Sequence, residues 1–246
     1  MSARSCIIAI DGPAGAGKST VAKHLAKHFG FLNLETGAMY RAFALKALES
    51  SLDMDNAAAL EQLAAHTAIA LEAAEGGNRV LLDGVDVTGR IRDAEVTQGA
   101  SRVSVHPAIR AWMVGMQRAL GRNACVVMEG RDIGTVVFPD ADLKFFLDAS
   151  PEARSQRRYE QVSPANGTSD GPESDSTARA QNAHAAIAKE LRDRDARDRN
   201  RADSPLKPAE DAIVIDSTNM SLDEVLIFIE GQVRDHLRLP VVSEEL

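Results

Sequence analysis

Apolar residues recur along this chain in two rhythms. Unbroken aliphatic and β-branched runs, Cys6 to Ile10, Val126 to Met128, Leu143 to Leu147 and Ile213 to Ile215, stand well apart and have the character of strands buried on both faces. Phe31 to Leu34 predicts one more strand. Helically spaced stretches lie between these runs. The alternation predicts an α/β fold, a parallel sheet covered by helices on both faces.

The rhythm changes between residues 53 and 102. Asp53 to Asn56 can cap a helix whose apolar positions Leu60, Leu63, Thr67 and Leu71 recur at helical spacing. Val80 to Leu82 and Val85 to Val87 then flank Asp83-Gly84, a hairpin signal, so a small α+β insertion is expected here. Ser163 to Thr177 is dominated by Gly, Pro, Ser, Asp and Asn and predicts a mobile loop. A charge-crowded helix follows from Ala178 to Arg201 and is stopped by Ser204-Pro205 and Lys207-Pro208. Ser221 opens a terminal amphipathic helix with Leu222, Val225, Ile229 and Val233 on its inner side. No internal repeat is visible.

Composition narrows the function classes. The 246 residues are 44% hydrophobic, enough for a sizeable core. With 28 Lys plus Arg against 36 Asp plus Glu, the net charge of -8 argues against a general nucleic-acid binder. Apolar runs such as Cys6 to Ile10 and Val225 to Ile229 reach five residues, far short of a membrane span. The opening Met-Ser-Ala-Arg-Ser enters the first strand with no room for a secretory or transit segment, which points to the cytoplasm. Cys6 and Cys125, each within an apolar run, read as buried thiols of a reducing compartment.

The most informative stretch is Gly12-Pro13-Ala14-Gly15-Ala16-Gly17-Lys18-Ser19-Thr20. It matches G-x-x-x-x-G-K-[ST], follows a strand and precedes the helical Val21 to Phe29, the context that motif requires. Glycines let successive N–H groups point into one concavity, where the helix N-terminus adds partial positive charge. Lys18 spans the outer phosphates of a bound polyphosphate, and the Ser19 hydroxyl is positioned to ligate Mg²⁺. A GTPase would be expected to carry N-K-x-D, and no such tetrapeptide occurs; Asp86-Val87-Thr88-Gly89 matches D-x-x-G but reads as a turn after the hairpin.

A kinase needs a second pocket, and a phosphate-bearing acceptor needs cations that the first site leaves unused. Arg41 follows Tyr40 on a helix opened by Glu35-Thr36-Gly37, and Arg131 and Asp132 follow a strand, where α/β ligands bind. In the charged helix, Arg194, Arg197, Asp198 and Arg201 fall within about 100° of arc. Arginines crowded on one stripe repel one another unless an anion lies between them. Arg192 and Arg199 lie roughly opposite and read as solvated.

Four segments carry a specific resemblance: Gly12 to Thr20, Thr36 to Arg41 (TGAMYR), Glu129 to Asp140 (EGRDIGTVVFPD) and Arg194 to Arg201 (RDARDRNR). Together the chain resembles the bacterial cytidylate kinases, and the match is spread over nearly its whole length. The resemblance implies a P-loop fold with a five-stranded parallel core, formed by residues 1–35, 103–152 and 202–246. It also implies a CMP-binding insertion over 36–102 and a helical lid over 153–201. ATP with Mg²⁺ would be the donor and CMP or dCMP the acceptor. A monomer is expected, and charge and apolar run length point to no nucleic-acid or membrane partner. Carried over by motif, Ser101, Arg110 and Asp132 would read cytosine, with Thr36 and Tyr40 alongside. Arg41 and Arg131 would hold the acceptor phosphate. Arg194 and Asp198 would meet the sugar hydroxyls, and Arg201 would reach the phosphates. Thr36 departs from the serine associated with the family but keeps the hydroxyl.

The chemistry of cytosine agrees: an exocyclic amine beside N3 and O2 acceptors suits a carboxylate paired with an arginine. Uracil would set a carbonyl against Asp132, so CMP is expected over UMP. A kinase for AMP, UMP or shikimate, or a P-loop protein that binds nucleotide without transfer, are the rival readings. His24 and His28 stand at metal-pair spacing, but no acidic residue follows His24, and Lys23 and Lys27 favour an exposed cationic face. Trp112 reads as core packing.

Overall fold

A computed structural model describes residues 6–74, 77–122, 124–162 and 173–238. The N-terminal pentapeptide and residues 163–172 of the expected loop lie outside these residues. Strand β1 (Ile7–Asp11) feeds the glycine loop and helix α1 (Lys18–Phe29), which Gly30 ends in a left-handed turn with its N–H on Ala26 O. Strand β2 (Leu32–Glu35) passes without a linker into α2 (Thr36–Glu49). Helix α3 (Ala57–Ala65) starts where the Asn56 side chain accepts from Ala59 N–H. Then come β3 (Ile69–Ala74), β4 (Gly77–Leu82) and β5 (Val85–Asp86), an antiparallel three-stranded sheet.

Helix α4 (Ala94–Val103) and α5 (Pro107–Leu120), the latter opened by proline, lead back to β6 (Val126–Glu129). A π-helical turn, Ile133–Val137, separates β6 from β7 (Leu143–Asp148). Two long helices follow, α6 (Pro151–Val162) and α7 (Glu173–Asn200), then β8 (Ile213–Asp216) and α8 (Leu222–Leu237). Ser221 and Glu224 form a capping box at the start of α8.

The main sheet has the order β2-β6-β1-β7-β8 and every pairing is parallel, as the alternation of elements predicts. Side chains alternate across it. Ile8 and Ile10 of β1 pack with Val21 and Leu25 of α1 and with Val225, Ile229 and Val233 of α8. Ala9 points to the other face, with Met128, Ile133 and Val137. A third core gathers α2, α3, α4 and α5 around Phe43, Leu60, Ile109 and Met113. Trp112 belongs to it, edge-on to Phe43 with ring centroids 5.2 Å apart. All five sheet strands end in an acid, Asp11, Glu35, Glu129, Asp148 and Asp216, so five carboxyl groups line the carboxyl edge. Strand order reverses at β1, which is where ligands of open α/β sheets bind.

Five expectations need correcting. The helix from Asn56 ends at Ala65, and Leu71 lies in β3. Ile69 and Leu71 are half-buried while Ala70 and Glu72 are exposed, an alternation of two that a spacing of four cannot distinguish from a helix until β4 is there to pair with it. Helix α7 begins at Glu173 rather than Ala178, so the last part of the expected loop is helical. Leu222 is 51% exposed at the first turn of α8, whereas Val225, Ile229 and Val233 are buried. Cys6 is buried, but Cys125, just before β6, is only half-buried. The His24 and His28 face of α1 is met by Glu230 of α8, 2.5 Å from His24 Nε2, and Arg234 donates to His28 Nε2 at 2.8 Å. A hydrogen-bonded seam between α1 and α8 thus replaces the exposed cationic face.

Candidate active site

The glycine loop is shaped by contacts as well as by φ angles. Gly12 has φ 145°, and a Cβ there would stand 2.0 Å from Leu147 O of the neighbouring strand, so no other residue fits without moving the sheet. Gly17 takes φ 96° and turns the chain into α1. Ala14 O is gripped by Arg154 Nη1 at 3.0 Å, and Arg154 Nε also bonds Ala149 O at 2.9 Å. Arg154 is 3% exposed and pairs with Asp195 of α7 at 2.6 Å, so both long helices brace the cradle. Nothing in residue spacing signals that role. Arg157 instead ties α6 to Ser217, and Arg158 is exposed.

Lys18 donates to Pro13 O at 2.6 Å inside the loop. Burial, and then the Arg131 charge, hold its ammonium well below the usual lysine range. Ser19 Oγ donates to Glu129 Oε2 at 2.9 Å. Glu129, at the end of β6, is buried, and its Oε1 has no hydrogen-bond partner among the described residues. Burial first, and then the Glu35 charge, raise its carboxyl. Spacing did not single out Glu129, although its place as the last residue of a strand beside β1 is visible in the sequence. A hydroxyl beside an underused buried carboxylate is an oxygen-only donor set, which suits a hard divalent cation such as Mg²⁺.

The segment 130–132 crosses the top of the sheet next to the cradle. Gly130 has no room for a side chain, since a Cβ would lie 2.7 Å from Ile133 Cδ1 and 2.9 Å from Thr36 Oγ1. Thr36, at the start of α2, donates to Glu129 O at 2.7 Å. Arg131 Nε bonds Asp198 Oδ2 at 2.8 Å. Asp132 is paired with Arg110, both buried, while Arg201 Nη2 stands 3.9 Å from Asp132 Oδ1. Arg110 also donates to Ser104 O at 3.3 Å. Tyr40, half-buried on α2, has its phenol pushed up to about 12, chiefly by burial, within the fields of Arg110, Asp132 and Arg201.

Helix α7 turns one face inward. Arg194 and Asp198 lie along it, Arg201 follows directly after its last residue, and Arg197 Nε reaches Ser101 Oγ at 2.9 Å, a contact to α4 beyond the residues carried over by motif. Arg192 and Arg199 are exposed on the other side. Arg41 folds back over Gly37 onto the Glu35 carboxylate. Arg41 also lines a cavity of about 250 Å³ with Lys23, Glu35, Arg79 and Arg92, beside the Asp132 cluster rather than in it.

The electrostatics of this region are unbalanced. Burial and the Arg131 charge lower Arg194 to about 10, and burial with Arg110 lowers Arg201. Burial works against the Asp198 carboxylate too, but Arg131 and Arg194 outweigh it and hold it below the usual range. Arg41 Nε, Arg110 Nε, Arg194 Nε and Arg201 Nη2 are buried donors without hydrogen-bond partners among the described residues. Each such donor costs about 1–3 kcal/mol when left unmet, a deficit that an anionic ligand would relieve. The glycine loop and these guanidinium groups lie near one another at the carboxyl edge of the sheet.

A family model described as cytidylate kinase matches residues 8–234. Cytidylate kinase of Solibacter usitatus is 48% identical, over 89% of this chain and 88% of the relative. The enzyme of Pelotomaculum thermopropionicum is 47% identical over 92% of this chain and 95% of its own, and that of Pasteurella multocida 42% identical over 94% and 96%.

Proposed function

Since the chain belongs to the cytidylate kinase family, we infer that it transfers the γ-phosphoryl group of ATP to CMP and dCMP, giving CDP and dCDP, by direct in-line displacement. The observation that carries the acceptor assignment is the set of buried guanidinium N–H groups left without partners around Asp132 and Asp198. A pocket with that deficit takes a phosphorylated ligand.

Residues 12–20 wrap the triphosphate with main-chain donors, and Lys18 moves its ammonium from Pro13 O to the outer phosphates. Ser19 and Glu129 would hold Mg²⁺, which would supply neutralisation of phosphate charge. Arg131, with Arg41, orients the acceptor phosphate, and Arg201 adds charge stabilisation from just beyond α7. Asp132 takes the exocyclic amine of cytosine, while Arg110 and Ser101 face its acceptors, and Thr36 and Tyr40 complete the walls. Arg194 and Asp198 address the sugar. No general base is required, because the attacking phosphate has a second pKa of about 6 and is already largely ionised near neutrality.

In this reading residues 36–102 form the acceptor-binding insertion and 153–201 the lid. Lid closure excludes water that would otherwise hydrolyse the donor. Among the described residues no helix is long and apolar enough to cross a membrane. We place the reaction in the cytoplasm and assign it to a monomer. Release of ADP is measured with ATP and Mg²⁺ in the presence of CMP, dCMP, UMP or AMP. The expected result is ADP formation dependent on CMP or dCMP; release that is indifferent to the acceptor, or driven best by AMP, would reject this function.

A further inference from the structure

We propose that Asp11 is a positioning residue of the acceptor pocket: it caps the turn after Asp132 from another strand, and so leaves the Asp132 carboxylate free to face Arg110 and the base. The inference rests on the base-reading role given to Asp132 above.

Asp132 is the N-cap of the π-helical turn Ile133–Val137. An aspartate there ordinarily turns back to accept from the N–H groups of the first turn. Asp132 makes no such bond, and its carboxylate goes to Arg110. The first two N–H groups of the turn are taken by Asp11 at the end of β1: Ile133 N donates to Oδ1 at 2.9 Å and Gly134 N to Oδ2 at 2.8 Å. Each oxygen of one buried carboxylate thus accepts one peptide, from residues more than a hundred positions away. Gly134 allows the approach, because a Cβ there would meet Lys144 Cδ at 3.0 Å and Asp11 Oδ2 at 3.5 Å.

The other flank of the segment is also tied to β1, through Gly130 N on Ile10 O at 3.0 Å. Arg131 and Asp132 are therefore suspended between two anchors on consecutive residues of one strand. That same strand continues directly into Gly12, so the donor cradle and the base reader share a single rigid mount. A π-helical turn is rare and tends to mark functional sites, since its irregular hydrogen bonding needs outside support. Asp11 supplies that support. Remove it, and Asp132, as the N-cap residue, is the side chain placed by sequence to cap the freed N–H groups, which it could do only by leaving Arg110.

The test is steady-state kinetics of Asp11→Asn, which keeps the volume but presents an amide N–H to one of the two donors. Expected are a KM for CMP raised about tenfold and a CMP over UMP preference reduced by a similar factor, with the KM for ATP within about twofold of wild type. An unchanged CMP to UMP ratio, or equal rises in both KM values, would overturn the proposal by reducing Asp11 to general support. Hydrogen exchange on the wild-type protein tests the clamp without a variant or a substrate: the Ile133 and Gly134 amides should exchange as slowly as those of β6. Exchange at open-loop rates would overturn it. Should wild-type protein fail to make ADP in response to CMP, the functional reading falls while slow exchange at these two amides still stands.

Discussion

The donor cradle and the acceptor pocket sit against the same strand but are made of opposite materials. The cradle is one run, residues 12–20, shaped by glycine geometry, and the phosphate donors proposed for it are main-chain N–H groups. The proposed acceptor pocket collects side chains from α2, α4, α5, the segment after β6, α7 and Arg201 just beyond it. Main-chain donors bring no net charge and need no counter-ion. Guanidinium groups repel, so this pocket is held by Asp132 and Asp198 and still has N–H groups without partners. One half rests on backbone already in place, with only Lys18 left to move from Pro13 O; the other keeps buried N–H groups without partners among the described residues.

Substitutions separate the two halves, and the largest effect belongs to the cradle. Lys18→Ala should lower kcat by about a thousandfold or more while the fold persists, because Lys18 is the only charged side chain of the loop. A coupled assay of ADP release checks this, and a loss below tenfold would contradict it. Arg131→Ala strikes the acceptor half, and it also strips Asp198 of its 2.8 Å partner. A drop of about a hundredfold in kcat/KM for CMP is expected. CMP phosphorylation near the wild-type rate with unchanged apparent affinity would show that Arg131 does not hold the acceptor phosphate.

The shared mount has a pH signature. Burial raises the Asp11 carboxyl from 3.8 to about 6, against the pull of the Gly134 and Ile133 N–H groups, with Asp132 and Lys18 as the charged groups facing it. The folded chain therefore keeps a proton that the unfolded chain loses at lower pH. This stabilisation is full below 3.8 and is lost as pH rises through 6, a change of about 3 kcal/mol at 1.36 kcal/mol per unit. Denaturant unfolding at a series of pH values should show this decline in wild type and not in Asp11→Asn; parallel curves would refute it.

Smaller effects refine the contrast. Asp132→Ala should narrow the CMP over UMP preference by about tenfold, the scale on which one mismatched polar contact discriminates. A competition assay reads the ratio, and an unaltered value would remove Asp132 from base recognition. Arg192→Ala, on the outer face of α7, should leave turnover within about twofold and stability within about 0.5 kcal/mol. A large loss there would mean that the solvated face of the helix takes part after all.

Legibility in the sequence followed the same division. The β1-loop-α1 unit could be read outright because covalent neighbours build it, and the parallel strands could be read because burial on both faces leaves an apolar run. The inward face of α7 was legible as far as helical periodicity reaches. Beyond that, spacing was silent on Glu129 beside Ser19, on Arg154 beneath Ala14 and on Asp11 beneath Gly134, each a contact between residues distant in the chain. Helical spacing likewise carried the reading past Ala65 into β3, because the partner that makes Leu71 a strand residue is β4.

What the sequence determined by itself is thus the alternation of elements, the phosphate loop and the supply of arginines, all properties of residues within a few positions of one another. Which arginine meets which carboxylate, which N–H groups are left waiting, and which aspartate caps a turn and which is released from doing so were decided by the tertiary structure. The reason is physical: a charge in a low-dielectric interior takes its energy from whatever lies within a few ångströms, and that neighbourhood exists only once distant segments have packed together.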